Sequence, residues 1–123
     1  MNLVDSSGWL EYFADGPNAT FFAPALEDTQ SLIVSTINIY EVFKLVLRQR
    51  GEDAAMRAVA LMQQAGVVDI TSAIAMDAAK LSAELKLPMA DSLIFATART
   101  CGAVLWTQDA DLGGLPDVRF TKK

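Results

Sequence analysis

Five carboxylates in the chain have the chemistry to form a shared cation site: Asp5, Glu41, Asp91, Asp109 and Asp111. Two unit charges about 5 Å apart, at an effective dielectric constant of about 20, repel each other by roughly 3 kcal/mol. A converged set of four or five such groups is therefore unfavourable unless a cation binds it. Hard divalent cations prefer carboxylate oxygens, so we expect Mg²⁺ or Mn²⁺ as the bound ion.

The overall charge of the chain agrees with such a site. Fifteen acidic residues against ten basic ones give a net charge of -5. When the five proposed site residues are set aside, ten acidic residues remain against ten basic ones, so the whole excess can be assigned to the site. The composition argues against a protein that holds nucleic acid through a broad basic face.

Two residue types common in catalytic and metal sites are scarce. The chain has no histidine, which excludes an imidazole base, a serine-histidine pair and a His-ligated zinc ion. The single cysteine, Cys101, cannot form an internal disulfide, and its apolar surroundings predict a small buried side chain. This cysteine usage fits a reducing cytosol. Catalysis must therefore rely on carboxylates, hydroxyls, lysine or a metal ion.

The apolar pattern predicts strands that alternate with helices in a single domain over residues 1–123. Short apolar segments predict strands at 2–4, 31–34, 67–70, 103–106 and 118–120. Apolar residues at helical spacing predict helices at 6–14, 18–27, 53–65, 72–85 and 90–100. A further long helix follows the second strand and ends at Gly51. The alternation implies a mostly parallel sheet, covered on both faces, with ligands at the carboxyl ends of its strands.

The two helices on either side of Gly51 are expected to form a hairpin. Val59 and Met62 lie on one face of its second helix. This face is too apolar to be left in water, so we expect a partner protein to cover it.

Membrane insertion and export are not expected from this sequence. An aspartate at position 5 precedes any apolar stretch of signal-peptide length, and no basic leader is present. The longest segment without a charge, 29–40, is short and contains polar residues.

Each acidic residue also has an ordinary structural explanation. Asp5 can cap the first helix, and Asn38 with Glu41 has the spacing of a capping box. The other three suit a helix N-terminus or a turn: Asp91, Asp109 and Asp111. These explanations do not predict acids after both the first and fourth strands together with two acids on helices. The combination favours a common site.

Four segments carry a family resemblance: VDSSGWLEYF, STINIYEVFK, LPMADSLIFATA and LWTQDADL. In order and spacing they resemble the four acidic motifs of PIN domains and span nearly the whole chain. The chain length and the helical hairpin resemble those of VapC-type toxins of toxin-antitoxin pairs. The resemblance implies a three-layer α/β/α sandwich around a mostly parallel sheet of four to five short strands.

The resemblance also implies which residues form the site. It places Asp5, Glu41, Asp91 and Asp109 in an acidic, metal-holding pocket, with Asp111 as a more variable fifth member. Thr107 would orient a ligand or water, with Ser6 and Asn38 as further supporting residues. The chain departs from the family pattern at Asn38, where a small hydroxyl residue is common, and at Leu112, where an aromatic residue is common.

The function implied by the resemblance is that of a metal-dependent ribonuclease, which is cytoplasmic and often a homodimer. A cognate antitoxin would keep it silent by blocking the groove. The metal ion would take the place of a side-chain base. Lys44 and Arg48 lie on the same predicted helix face as Glu41, where they are expected either to contact RNA phosphates or to be ordinary surface residues.

Two rival interpretations belong to other functional classes. A response-regulator receiver also gathers aspartates at strand ends, but it needs adjacent acids after the first strand, where this chain has Ser6 and Ser7 after Asp5. A catalytically silent PIN-like module would use its groove only to bind a protein. Retention of all the acidic residues disfavours that alternative.

Overall fold

The computed structural model describes all residues, Met1–Lys123, and contains a five-stranded sheet in which every paired strand is parallel. The strands are β1 (Asn2–Val4), β2 (Leu32–Ser35), β3 (Gly66–Val68), β4 (Val104–Thr107) and β5 (Val118–Phe120). Their order across the sheet is β3-β2-β1-β4-β5. This order differs from the flavodoxin-like order of receiver domains, which excludes the receiver interpretation.

Six α-helices flank the sheet, as the alternating pattern predicts. They are α1 (Ser6–Phe13), α2 (Ala19–Leu26), α3 (Thr36–Arg50), α4 (Glu52–Met62), α5 (Ser72–Leu85) and α6 (Met89–Thr100). Gly51 separates α3 from α4 with a positive φ of 88°, a conformation that costs glycine little. None of the helices combines the length and the apolar character that a membrane span requires.

The core lies in two layers, one on each face of the sheet. Successive strand residues point to opposite faces, so Leu3 packs in the layer covered by α5 and α6 while Val4 packs in the other layer. The second layer contains Trp9 and Phe22 from α1 and α2, together with Met62 from α4. The three-layer α/β/α sandwich is therefore confirmed.

The prediction that a partner protein covers the Val59 and Met62 face of the hairpin is wrong. Met62 is fully buried in the core layer that contains Val4, and Val59 is 8% exposed. The exposed apolar residue of this turn is the adjacent Leu61, which is 51% exposed. The apolar stripe of α4 is thus a core face, covered by the chain itself rather than by a partner.

The predicted burial of Cys101 is also wrong. Its side chain is exposed, because Cys101 is the C-cap of α6 and lies beyond the last packed turn. The chain then reverses at Gly102, which has a φ of 63°, and burial resumes at Ala103.

Candidate active site

Asp5 links the end of β1 to the start of α1. Its side chain caps the helix, with Oδ1 accepting hydrogen bonds of 2.9 Å from the Gly8 amide and from the Ser7 hydroxyl. Its Oδ2 accepts a hydrogen bond from the Thr107 hydroxyl. The N-cap interpretation of Asp5 is therefore confirmed. Capping does not preclude a second role, because a carboxylate offers about four lone-pair sites.

Gly8 allows α1 to close over the end of β1. A Cβ atom at this position would lie 2.5 Å from Cγ1 of Val4 and 2.8 Å from Cε1 of Phe22. Only glycine fits without a shift of these neighbours, which lets the first turn of α1 pack closely against β1 and α2.

Thr107 connects the two central strands at their carboxyl ends. β1 and β4 are neighbours, so Thr107 at the end of β4 lies beside Asp5. Besides donating to Asp5, the Thr107 hydroxyl accepts a 2.9 Å hydrogen bond from the backbone amide of Asp109. Thr107 therefore orients two parts of the protein, whereas the family resemblance assigned it to a ligand or water.

Asp91, Asp109 and Asp111 form a compact acidic cluster, which we call the acidic triad. One carboxylate oxygen from each lies within 4.8 Å of the other two. Asp91 is in the first turn of α6, and Asp109 accepts a 2.9 Å hydrogen bond from the backbone amide of Asp111 in the loop after β4. Asp5 and Glu41 are not members of this group, although the charge of Asp5 acts on Asp91.

The acidic triad and Asp5 perturb one another electrostatically. Burial, a hydrogen bond with Asp109 and the negative charges of Asp109, Asp5 and Asp111 raise the pKa of Asp91 to about 7. Burial also raises the pKa of Asp5, against hydrogen bonds from Thr107, Gly8 and Ser7 that lower it. The cluster therefore retains a proton where isolated aspartates would be ionised, as expected of carboxylates brought together without a cation.

Glu41 joins the site through Ser6. Its Oε1 accepts a 2.6 Å hydrogen bond from the Ser6 hydroxyl, which in turn accepts a 3.0 Å hydrogen bond from the Asn38 amide nitrogen. The predicted capping box between Asn38 and Glu41 is wrong, since Asn38 is the third residue of α3 and forms its capping box with Ser35. The Glu41 carboxylate is thus held by the hydroxyl of Ser6, the residue that follows Asp5 in the chain.

Lys44 and Arg48 are both exposed on α3. The Lys44 ammonium lies 5.6 Å from the centre of the Tyr40 ring. Their contact with RNA stays a prediction.

Sequence reasoning missed Ser7 and Gln108, which adjoin predicted site residues. Ser7 donates to Asp5, and the buried Gln108 donates a 3.4 Å hydrogen bond to the Ser7 carbonyl. The only sequence signal was their position next to Ser6 and Thr107, because the contact joins segments about a hundred residues apart.

We expect the stability of the metal-free protein to fall as pH rises from 3.8 to about 7. In this range folded Asp91 keeps a proton that the unfolded chain has lost, so the folded state binds more protons and unfolding becomes easier with rising pH. Melting curves in chelator across this range should show the decline, and Asp91→Asn should flatten it. Parallel pH profiles for the two proteins would contradict the shifted pKa. The chain has no histidine, so no imidazole titration adds to the pH dependence of stability in this range.

Comparisons with known proteins agree with this architecture. A family model described as "PIN domain" matches residues 3–118. The chain is 34% identical over 111 residues to ribonuclease VapC4 of Mycobacterium tuberculosis, covering 84% of this chain and 85% of that protein.

Solved structures with the same fold cover nearly the whole chain. A toxin-antitoxin complex from Klebsiella pneumoniae has a TM-score of 0.79 at 22% identity, covering 97% of this chain and 96% of that one. The Mycobacterium tuberculosis toxin VapC20, described as cleaving the sarcin-ricin loop, has a TM-score of 0.76 at 22% identity, with 97% and 99% covered. DNA-bound VapBC from Salmonella typhimurium has a TM-score of 0.75 at 16% identity, with 99% and 98% covered.

Proposed function

The chain belongs to the PIN domain family, and on that premise we propose that it is a metal-dependent endoribonuclease, the toxin of a VapBC-type toxin-antitoxin pair. It would hydrolyse phosphodiester bonds in single-stranded or loop RNA, using Mg²⁺ or Mn²⁺. The observation that carries this proposal is the convergence of the acidic triad within 4.8 Å, next to Asp5 at the carboxyl ends of the central strands. The similarity to ribonuclease VapC4 supports the activity.

The residues fit a hard divalent cation. The acidic triad offers three carboxylate oxygens within 4.8 Å of one another, and burial together with the neighbouring acidic groups raises the pKa of Asp91. We propose that Asp5 and Asp91 are the main ligands and that Asp109 and Glu41 complete the site directly or through water. When bound, such a cation supplies Lewis-acid chemistry and neutralises charge at a phosphodiester.

The chain's own residues would prepare this site for the cation and the RNA. Asp91 must give up its proton on binding, since a carboxylate ligand has to be ionised. Thr107 holds Asp5 and the Asp109 backbone in register, and Ser6 with Asn38 fixes the Glu41 carboxylate. These contacts position the carboxylates before a ligand arrives, which reduces the reorganisation that binding requires.

The direct test is RNA cleavage by the purified protein. We expect a labelled single-stranded RNA to be cut in Mg²⁺ or Mn²⁺ and to stay intact when the metal is chelated, because the chain has no imidazole base. Undiminished cleavage in chelator would overturn the metal-nuclease proposal. No cleavage in any divalent metal, together with tight binding of an antitoxin, would favour the silent binding module.

Divalent metal should raise the melting temperature, because the ion binds only the assembled carboxylates of the folded state. Asp91→Asn removes a proposed ligand and one repelling charge, so we expect higher stability in chelator and a smaller metal-induced rise. Scanning calorimetry with and without Mn²⁺ measures both effects. Asp77→Asn on the exposed surface of α5 is the control and should respond like the wild type. An unchanged rise in Asp91→Asn would show that Asp91 is only a helix-end residue.

We also propose an antitoxin as protein partner. A groove of about 250 Å³ runs between α1, α3 and α4, and its lining is mostly apolar, with Phe13, Val46 and the exposed Leu61 among its residues. Arg50 and Arg57 also line it, which suits an apolar peptide segment flanked by acidic side chains. This groove takes the place of the Val59 and Met62 face as the expected docking surface. The structural neighbours, which include toxin-antitoxin complexes, support such a partner.

Assembly and location follow from the same proposal. A toxin that acts on cellular RNA would work in the cytoplasm, and we propose a homodimer as its active form.

A further inference from the structure

A cavity of about 440 Å³, open to solvent and lined mostly by polar residues, lies on the side of α1. It is lined by Ser7, Leu10, Glu11, Pro17, Asn18, Gln108 and Lys123. Two of these residues lie near the proposed site: the Ser7 hydroxyl donates to the Asp5 carboxylate, and the Gln108 side chain donates to the Ser7 carbonyl. The Ser7 hydroxyl is thus the direct contact between this cavity and a proposed site residue, Asp5. We call the cavity the flanking cavity.

Two hydrogen bonds, one from the backbone and one from a side chain, hold residues 121 and 122 near the flanking cavity. The Thr121 amide donates to the Thr107 carbonyl at 3.0 Å, continuing the pairing of β5 with β4. The Asn18 side-chain amide donates to the Lys122 carbonyl at 3.1 Å. Lys123, the next residue, lines the cavity and is the only basic residue in its lining.

The side-chain amides of Asn18 and Gln108 are hydrogen-bonded to each other, and the Asn18 Oδ1 atom is left without a partner. Asn18 Nδ2 donates to Gln108 Oε1 at 2.9 Å and to the Lys122 carbonyl, so both of its hydrogens are used. The Glu11 carboxylate accepts the Asn18 backbone amide at 2.7 Å. Asn18 Oδ1 has no hydrogen-bond partner in the chain and is not among the buried unsatisfied atoms, so it is open to a donor from a ligand.

We propose that the flanking cavity binds a nucleotide next to the scissile phosphate of an RNA substrate. Lys123 would contact a backbone phosphate, and Asn18 Oδ1 would accept a hydrogen bond from a base edge. Recognition of single-stranded RNA combines such backbone charges with contacts to exposed base edges. Gln108 is a positioning residue, since it fixes the Asn18 amide from a buried site. This inference rests on the proposed ribonuclease function and adds a substrate subsite to it.

Binding in chelator tests the phosphate contact without cleavage. The probe is a fluorescein-labelled single-stranded RNA oligonucleotide of mixed sequence, followed by fluorescence anisotropy. We expect Lys123→Gln to weaken binding about three- to tenfold and to lower the salt dependence by about 0.7 in log K against log salt, the value for one phosphate contact on a single strand. Lys80→Gln on α5, which lines a separate cavity, is the charge-matched control and should leave both quantities unchanged.

Cleavage-site mapping tests the base contact. Asn18→Ala should relax or change the nucleotide preference at one position beside the cut. Gln108→Ala removes the acceptor for Asn18 Nδ2 and should change the preference at the same position as Asn18→Ala.

The outcomes separate this inference from the function on which it rests. If the wild type cuts RNA but Lys123→Gln binds it with unchanged affinity and salt slope, the subsite is wrong and the ribonuclease stands. An unchanged base preference in Asn18→Ala would likewise overturn the base contact. RNA that the wild type neither binds nor cuts would overturn both proposals.

Discussion

Asp5→Asn is expected to reduce RNA cleavage by about a hundredfold or more while the protein stays folded. The substitution removes a negative charge that we assign to metal binding, yet it keeps the side chain's size. Its amide oxygen can still accept the Gly8 amide, and the Thr107 hydroxyl can rotate to accept from the new amide group. The α1 cap and the β1–β4 junction are therefore preserved. Cleavage of labelled RNA in Mg²⁺ and Mn²⁺, scored beside circular dichroism, measures the two effects separately.

The control for this experiment is a carboxylate that has no place in the site. Asp77→Asn makes the same chemical change on the exposed surface of α5 and should cut RNA at the wild-type rate. If Asp5→Asn also cuts RNA at the wild-type rate, Asp5 is only a helix cap, and its assignment as a main metal ligand is wrong.

Met62→Asp is expected to unfold the protein or to destabilise it by about 3–5 kcal/mol, the range for an uncompensated buried charge. Met62 is fully buried between α4 and the sheet, where an aspartate would find no solvent and would leave part of the methionine volume empty. A loss of this size is a large fraction of the roughly 5–15 kcal/mol that stabilises a typical domain. Urea denaturation followed by circular dichroism measures it.

The neighbouring residue provides a matched control. Leu61 precedes Met62 on α4 but is 51% exposed and lines the groove between α1, α3 and α4. Leu61→Asp should therefore leave the unfolding midpoint close to that of the wild type and should weaken co-purification with the antitoxin. A Met62→Asp protein as stable as the wild type would contradict the assignment of this face to the core.

Local sequence signals were sufficient for most of the secondary structure. The helix predicted at 72–85 and the strands predicted at 2–4 and 118–120 have the same limits in the structure, and other elements differ by a few residues at their ends. These elements are predictable because apolar periodicity and stop residues such as Gly51 act over a few turns of chain. The position of Asp5 and Asp109 at strand ends followed from the same signals, since parallel strands bring their carboxyl ends to one edge.

The buried faces of helices and the hydrogen-bond partners of side chains were harder to predict, because they depend on how the elements pack. The apolar stripe with Val59 and Met62 is equally suited to a core or to an interface, and only the position of α4 against the sheet decides for the core. Asn38 illustrates the same ambiguity at short range. Its spacing allowed a capping box with Glu41, whereas the observed start of α3 pairs it with Ser35.

The sequence alone determined which chemistry is available: carboxylates without histidine, placed at the ends of predicted strands. The tertiary structure decided how these groups act on one another. The pKa of Asp91 rises to about 7 through burial and through the charges of Asp109, Asp5 and Asp111, which reach it from other elements. Asn18 meets Gln108 across 90 positions of chain in the same way. Electrostatic energies and hydrogen bonds depend on distance and burial in space, and spacing along the chain specifies neither quantity.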